Sequence, residues 1–134
     1  METTKRETKV IQSSADVVIA RQAVRAWTLE LKFGLVDQTK MVTAASELAR
    51  NTLEHGGGGS MTMELINNGV RKGLRLIFED RGPGIPNIER ALEDGFTTKS
   101  GMGLGLGGSR KLVNDFEISS KAGEGTRVTV TRWK

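Results

Sequence analysis

The spacing of the apolar residues changes at the glycine run 56–59, and that change constrains the fold more than any other feature of the chain. Upstream, Val17, Ala20, Val24, Trp27 and Leu31 recur every three or four residues, as do Met41, Ala45, Leu48 and Thr52. This spacing lines one face of a helix. Downstream, MTMELIN (61–67) alternates and runs into Asn68-Gly69, a hairpin signal, with GLRLIFED (73–80) as the return strand. FEISSKA (116–122) and TRVTVTRW (126–133) form a second strand pair across the tight turn AGEGT, and KRETKVIQ (5–12) is a candidate first strand.

Punctuation residues set the boundaries. Ser13, Ser14 and Asp16 offer N-caps for the first helix, and Gly34 is expected to close it as the residue past its C-cap. Asp37 is expected to cap a second helix running through His55, which the glycines then end. NIERALED (87–94) predicts a short helix, and a third main helix is expected from about Gly103 to Asp115. The order β-α-α-β-β-(short α)-loop-α-β-β predicts an α/β two-layer sandwich with a mainly antiparallel mixed sheet and helices on one face. Neither a repeat nor an interdomain linker is visible, so residues 1–134 are read as one domain.

Composition narrows the function classes. Hydrophobic residues make up 37% and charged residues 27% of the chain, the balance of a soluble globular protein. There is no cysteine, which excludes disulfides and thiolate metal sites. No apolar run reaches the ~20 residues needed to cross a bilayer, and METTKRETKV lacks the apolar segment of a signal peptide. A cytoplasmic location without membrane association is expected. The net charge of +4 comes from scattered Lys and Arg. With few aromatics for base stacking, nucleic acid is a poorer candidate partner than a phosphate-bearing small ligand or an acidic protein.

Three stretches carry chemistry. In GFTTKSGMGLGLGG (95–108) the spacing Gly103-x-Gly105-x-x-Gly108 matches a dinucleotide fingerprint, but it follows loop instead of a strand and lies outside any parallel βαβ unit. A helix opening at Gly103 would still aim free N–H groups at an anion. In SELARNTLEHG, Glu47 and Asn51 are four residues apart and share a helix face. A carboxylate beside an amide oxygen suits a Mg²⁺ ion that takes one protein oxygen, phosphates and waters; alone, the pair reads first as an ordinary polar helix edge. In IFEDRGPGIP, Asp80 has the parity of Leu74, Leu76 and Phe78 and so points to the core side of its strand, where a buried carboxylate needs a donor. An exocyclic amine of a bound base would serve; a turn-initiating Asp is the plainer alternative. Thr126 shares parity with Val128 and Val130 and could join Asp80 on that face.

Together these stretches resemble the ATP-binding Bergerat fold of the superfamily of gyrase-type ATPases, heat-shock chaperones, histidine kinases and mismatch-repair proteins. SELARN resembles its N-box, EDRGPGIP its D-x-G-x-G box and SGMGLGLGG its second glycine box, while GEGT supplies Thr126. The resemblance implies Glu47 as the catalytic base and Asn51 as the Mg²⁺ ligand. It places Asp80 at the adenine, supported by Thr126, with Gly82 and Gly84 beside the nucleotide. It gives Gly101, Gly103, Leu104 and Gly105 to the phosphates, with charge added by Lys99 or Arg110, and makes residues 96–101 a short ATP lid.

The lone His55, at a helix end, is expected to be a C-terminal cap or solvent-exposed, not a phospho-acceptor. A free-standing domain of this kind is similar to the small bacterial serine/threonine kinases that act by partner switching. FGLVDQTKMVTAASELARN, GLGLGGSRKLVNDFEISSKAGEGT and the terminal RWK look most like the stressosome switch kinases, the RsbT type. That resemblance implies RsbS- or RsbR-like STAS-domain proteins as substrates, and an RsbU-like PP2C-type phosphatase as a second partner. Anti-sigma factor kinases, which bind a sigma factor, are the alternative; they carry a longer segment between the two glycine boxes than TTKSG.

Overall fold

The computed structural model describes residues 1–85, 87–92 and 106–134. The chain opens with strand β1 (Glu2–Ile11), three residues longer at its start than the pattern KRETKVIQ indicates, because its whole length pairs with a later strand. Ser13 then starts helix α1 (Ser14–Glu30): its hydroxyl accepts the Asp16 amide at 3.3 Å, and the Asp16 carboxylate accepts the Gln12 amide at 2.9 Å.

The turn into helix α2 (Leu35–Glu54) departs from expectation. Lys32, not Gly34, takes the left-handed conformation, with φ 60°. The Phe33 amide bonds the Thr28 carbonyl at 3.0 Å and the Lys32 amide bonds the Leu29 carbonyl at 2.9 Å, the paired bonds of a Schellman motif. The turn comes early because Phe33 is drawn into the core, where it is 4% exposed. Gly34, with φ −64°, becomes the N-cap of α2. Asp37 is therefore not the cap; it lies in the first turn and pairs with Arg132.

Gly59 begins strand β2 (Gly59–Asn67), which folds back through Asn68–Arg71 into strand β3 (Lys72–Asp80). The Asn68 side chain accepts the Val70 and Arg71 amides at 2.9 and 2.7 Å, so the loop satisfies its own backbone. A short helix α3 (Ile88–Ala91) is capped by Asn87, whose side chain accepts the Arg90 amide at 3.0 Å. Helix α4 (Leu106–Lys111) ends four residues before the expected Asp115. Asp115 instead opens strand β4 (Asp115–Lys121), because the Asn114 amide already bonds the Thr131 carbonyl of strand β5 (Gly125–Trp133) at 2.9 Å.

The five strands among the described residues lie in the order β1-β2-β3-β5-β4, and the four ladders that join them are antiparallel. Met61, Met63, Leu65, Leu74, Leu76, Phe78, Val128 and Val130 on one face of the sheet meet Val17, Ala20, Val24, Trp27, Met41, Ala45 and Leu48 of the two long helices. The opposite face is polar, yet Glu64 there is 1% exposed. Arg6 and Arg75 cover it, Arg75 Nε donating to one carboxylate oxygen at 2.7 Å and Arg6 Nε to the other at 2.7 Å. Arg132 links the end of β5 to the start of α2 through Asp37 and donates to the Leu112 carbonyl at 2.8 Å.

Candidate nucleotide site

One end of the sheet carries a small cavity between α2, β3 and β5. Leu48, Phe78, Ile85, Leu106 and Val128 form its apolar walls, and Asn51, Thr52, His55, Asp80 and Thr126 bring its polar groups. Ladder register explains why two of these meet: Asp80 sits opposite Thr126, and both have the parity of the buried Phe78 and Val128. On the helix side, Glu47, Asn51 and His55 follow at intervals of four along α2. Asn51 and His55 line the cavity, while Glu47 lies a turn away, its side chain 38% exposed and 3.0 Å from Arg50 Nη1. An exposed pair of this kind contributes little to stability, leaving the carboxylate accessible to a second partner.

Glycines close the wall around Asp80. Gly82 packs so tightly on the end of α2 that an added Cβ would lie 2.7 Å from the Gly56 backbone, and one on Gly56 would lie 2.3 Å from the Asp80 Cγ. Gly84, at φ 75°, runs its Cα face against the Lys121 carbonyl. Gly82 and Gly84 thus lock the loop after β3 between α2 and the β4–β5 hairpin. The Asp80 Oδ1 accepts the Gly82 amide at 2.9 Å, which fixes the carboxylate at the cavity. Lys99, Gly101, Gly103, Leu104 and Gly105, and the lid segment 96–101, lie outside the described residues.

Two further residues organise the site and escaped the motif analysis. His55 is the C-cap of α2, as expected, but it is half-buried and its Nε2 lies 3.2 Å from the Gly84 carbonyl. Ser120 Oγ accepts the Ile85 amide at 2.8 Å, donates to the Gly125 carbonyl at 3.0 Å and lies 2.9 Å from Thr126 Oγ1. Their signals were present: His55 continues the Glu47–Asn51 face, and Ser120 has the parity of Phe116 and Ile118.

The donor set fits an adenine nucleotide: apolar walls for a flat base and acceptor oxygens at one end. At about 20 Å³ the cavity holds little more than a water molecule. Among the described residues no group of three or more His, Asp or Glu side chains converges on a metal position. No helix among the described residues is long and apolar enough to cross a membrane.

Comparison with known proteins agrees with this geometry. Residues 36–134, from the first turn of α2 onward, match the family model of histidine kinase-, DNA gyrase B- and HSP90-like ATPases. The chain is 46% identical over 123 residues to the serine/threonine-protein kinase RsbT of Bacillus subtilis (strain 168), covering 92% of each chain. An anti-sigma F factor of Clostridium kluyveri is 29% identical over 126 residues, covering 91% of this chain and 89% of that one. Among solved structures, the RsbU and RsbW domains of Rv1364c from Mycobacterium tuberculosis share the fold with a TM-score of 0.62 at 21% identity. That match covers 98% of this chain and 33% of the longer one. The chain therefore belongs to the histidine kinase-, DNA gyrase B- and HSP90-like ATPase family, in which it is an ATP-using, RsbT-like serine/threonine kinase.

Proposed function

We propose that this kinase binds ATP with its base in the cavity between α2, β3 and β5 and phosphorylates a serine or threonine of a STAS-domain protein, RsbS- or RsbR-like. The observation that carries the proposal is the meeting of Asn51, Asp80 and Thr126 at one cavity in a chain 46% identical to a kinase of this type. Phosphoryl transfer demands positioning and charge neutralisation more than covalent participation by the protein. Asp80, braced by the Gly82 amide, accepts the exocyclic amine of the base, with Thr126 beside it. Glu47 orients the acceptor hydroxyl and takes its proton. Asn51 supplies the protein oxygen for Mg²⁺, which neutralises phosphate charge. Gly101, Gly103, Leu104 and Gly105 present backbone amides to the phosphates, and Lys99 and Arg110 add positive charge.

Once its STAS partner is phosphorylated, the kinase is released to bind and activate a PP2C-type phosphatase with an RsbU-like N-terminal domain. Sigma-factor sequestration is the competing role. The lower identity to the anti-sigma F factor, 29% against 46%, favours the switch kinase. Glu47→Ala tests the chemistry. Transfer of radiolabelled phosphate from ATP to a STAS partner is expected to fall by about 10²-fold or more, with ADP affinity by calorimetry held within roughly threefold, since the base contacts are untouched. Unchanged transfer would remove Glu47 from the mechanism.

A further inference from the structure

Hydroxyl groups carry one proton and two lone pairs, so a hydroxyl with fixed neighbours has a fixed polarity. Ser120 Oγ has three neighbours. The Ile85 amide at 2.8 Å can only donate to it, and the Gly125 carbonyl at 3.0 Å can only accept from it. The carbonyl of Gly125 takes the single proton of Ser120 in this arrangement. With its proton there, Ser120 is left to accept from Thr126 Oγ1, 2.9 Å away. The Thr126 proton is spent on Ser120, and only lone pairs of Thr126 remain for the cavity that it lines.

Thr126 is 9% exposed and stands opposite Asp80 in the ladder. An ionised Asp80 is acceptor-only as well, with one oxygen already receiving the Gly82 amide. The Asp80–Thr126 side of the cavity therefore offers acceptors, while Asn51, Thr52 and His55 line its helix side. A ligand group with N–H donors satisfies the Asp80–Thr126 side, whereas a carbonyl oxygen would face acceptor against acceptor and leave buried lone pairs unpaired.

We infer that Ser120 is a positioning residue for base selection: by holding the Thr126 hydroxyl as an acceptor, it makes the site favour a 6-aminopurine over a 6-oxopurine. Ser120 itself does not line the cavity. Its removal would let the Thr126 hydroxyl rotate and donate to a 6-oxo group. The inference rests on the adenine-nucleotide reading above and adds to it the residue that sets the sense of the hydrogen bond.

ATP and inosine triphosphate differ at the 6-position, amine against oxygen, and at N1, which is protonated only in the oxo form; their affinities, measured by displacement of a fluorescent ADP analogue from the purified full chain, test the sense of the hydrogen bond at the 6-position. The wild type is expected to prefer ATP, and S120A to lower the ATP-to-ITP affinity ratio roughly 5- to 10-fold, the worth of one hydrogen bond. S120T, which keeps a hydroxyl, should restore the ratio. Ser120 also holds the Ile85 amide, but loss of that support alone would weaken both nucleotides together. A fall in both affinities with an unchanged ratio would overturn the inference. T126V leaves the bonds of Ser120 to Ile85 and Gly125 in place and removes the acceptor itself. It must lower the ratio too, even if S120A does not fold, and wild-type selectivity in T126V would overturn the inference independently. A wild-type chain that binds adenine nucleotides without preferring ATP to ITP would defeat this inference alone. A wild-type chain that binds no adenine nucleotide would defeat the proposed function with it.

Discussion

Gly56→Ala places one methyl group directly against the Asp80 side chain. The added Cβ would lie 2.3 Å from the Asp80 Cγ and 2.5 Å from its Cβ and Oδ2. Carbon atoms rest about 3.5–4.0 Å apart, so the Asp80 side chain must retreat by roughly 1 Å. It has little room to do so. Its backbone is laddered to Gly59 on one side and Thr126 on the other, and its Oδ1 is held by the Gly82 amide at 2.9 Å. Overpacking of this kind costs about 1–3 kcal/mol, and loss of the carboxylate hydrogen bond adds about 1 kcal/mol for a partly solvated group. At about 4 °C per kcal/mol for a chain of this length, the melting temperature should fall by roughly 8–16 °C. ADP affinity by calorimetry should fall about tenfold or more, because the displaced carboxylate no longer meets the base. Gly57→Ala separates this contact from backbone strain. Nothing lies within 4 Å of its added Cβ, but its φ is 74°. It should cost about 1–2 kcal/mol and leave nucleotide affinity unchanged. A Gly56→Ala protein that melts within about 2 °C of wild type and binds ADP normally would refute the reasoning.

Two further outcomes follow from features outside the site. Burial pushes the Glu64 carboxyl up, but the hydrogen bonds and charges of Arg6 and Arg75 outweigh it and hold the carboxyl below its ordinary range. A group depressed in the folded state stabilises the fold above its unfolded value of about 4.3. That stability is lost as pH falls through the lower folded value. Urea denaturation should therefore show Glu64→Gln less stable than wild type by about 1–3 kcal/mol at pH 7, with the gap closing below about pH 4. A gap independent of pH would assign the loss to shape instead of charge. Lys32 pays for a left-handed conformation at φ 60° with its side chain exposed. Lys32→Gly should stabilise the chain by about 0.5–1 kcal/mol in the same assay, and a destabilisation would contradict the Schellman turn.

Much of this protein was legible as a pattern along the chain, because helix and strand periods report which side of an element is buried, and burial is a local property. The stripes from Val17 to Leu31 and from Met41 to Thr52 gave α1 and α2, and the parity of Asp80 with Phe78 placed its carboxylate on the core side. SELARN, EDRGPGIP and GEGT contribute Asn51, Asp80 and Thr126 to one cavity. The Gly34 and Asp37 assignments failed for a tertiary reason: the burial of Phe33 pulled the α1–α2 turn onto Lys32, and Arg132 claimed Asp37. The ends of α4 and β1 likewise moved because hydrogen bonds to other strands, absent from any local window, decided them.

Only the assembled sheet decided that β5 lies between β3 and β4, and so that Thr126 stands opposite Asp80. Strand periodicity states which face a residue takes, but ladder hydrogen bonds are made by backbone groups common to every residue, so the pattern carries no partner. The same holds for Ser120. Its serine could be read anywhere in the chain as a donor or an acceptor, and only the fold set the amide of Ile85 and the carbonyl of Gly125 beside it. The order of the motifs along the chain carried the family resemblance, and with it the ATP-binding fold. The neighbours of Ser120 came from contacts between residues as far as 35 positions apart, which only the fold brings together.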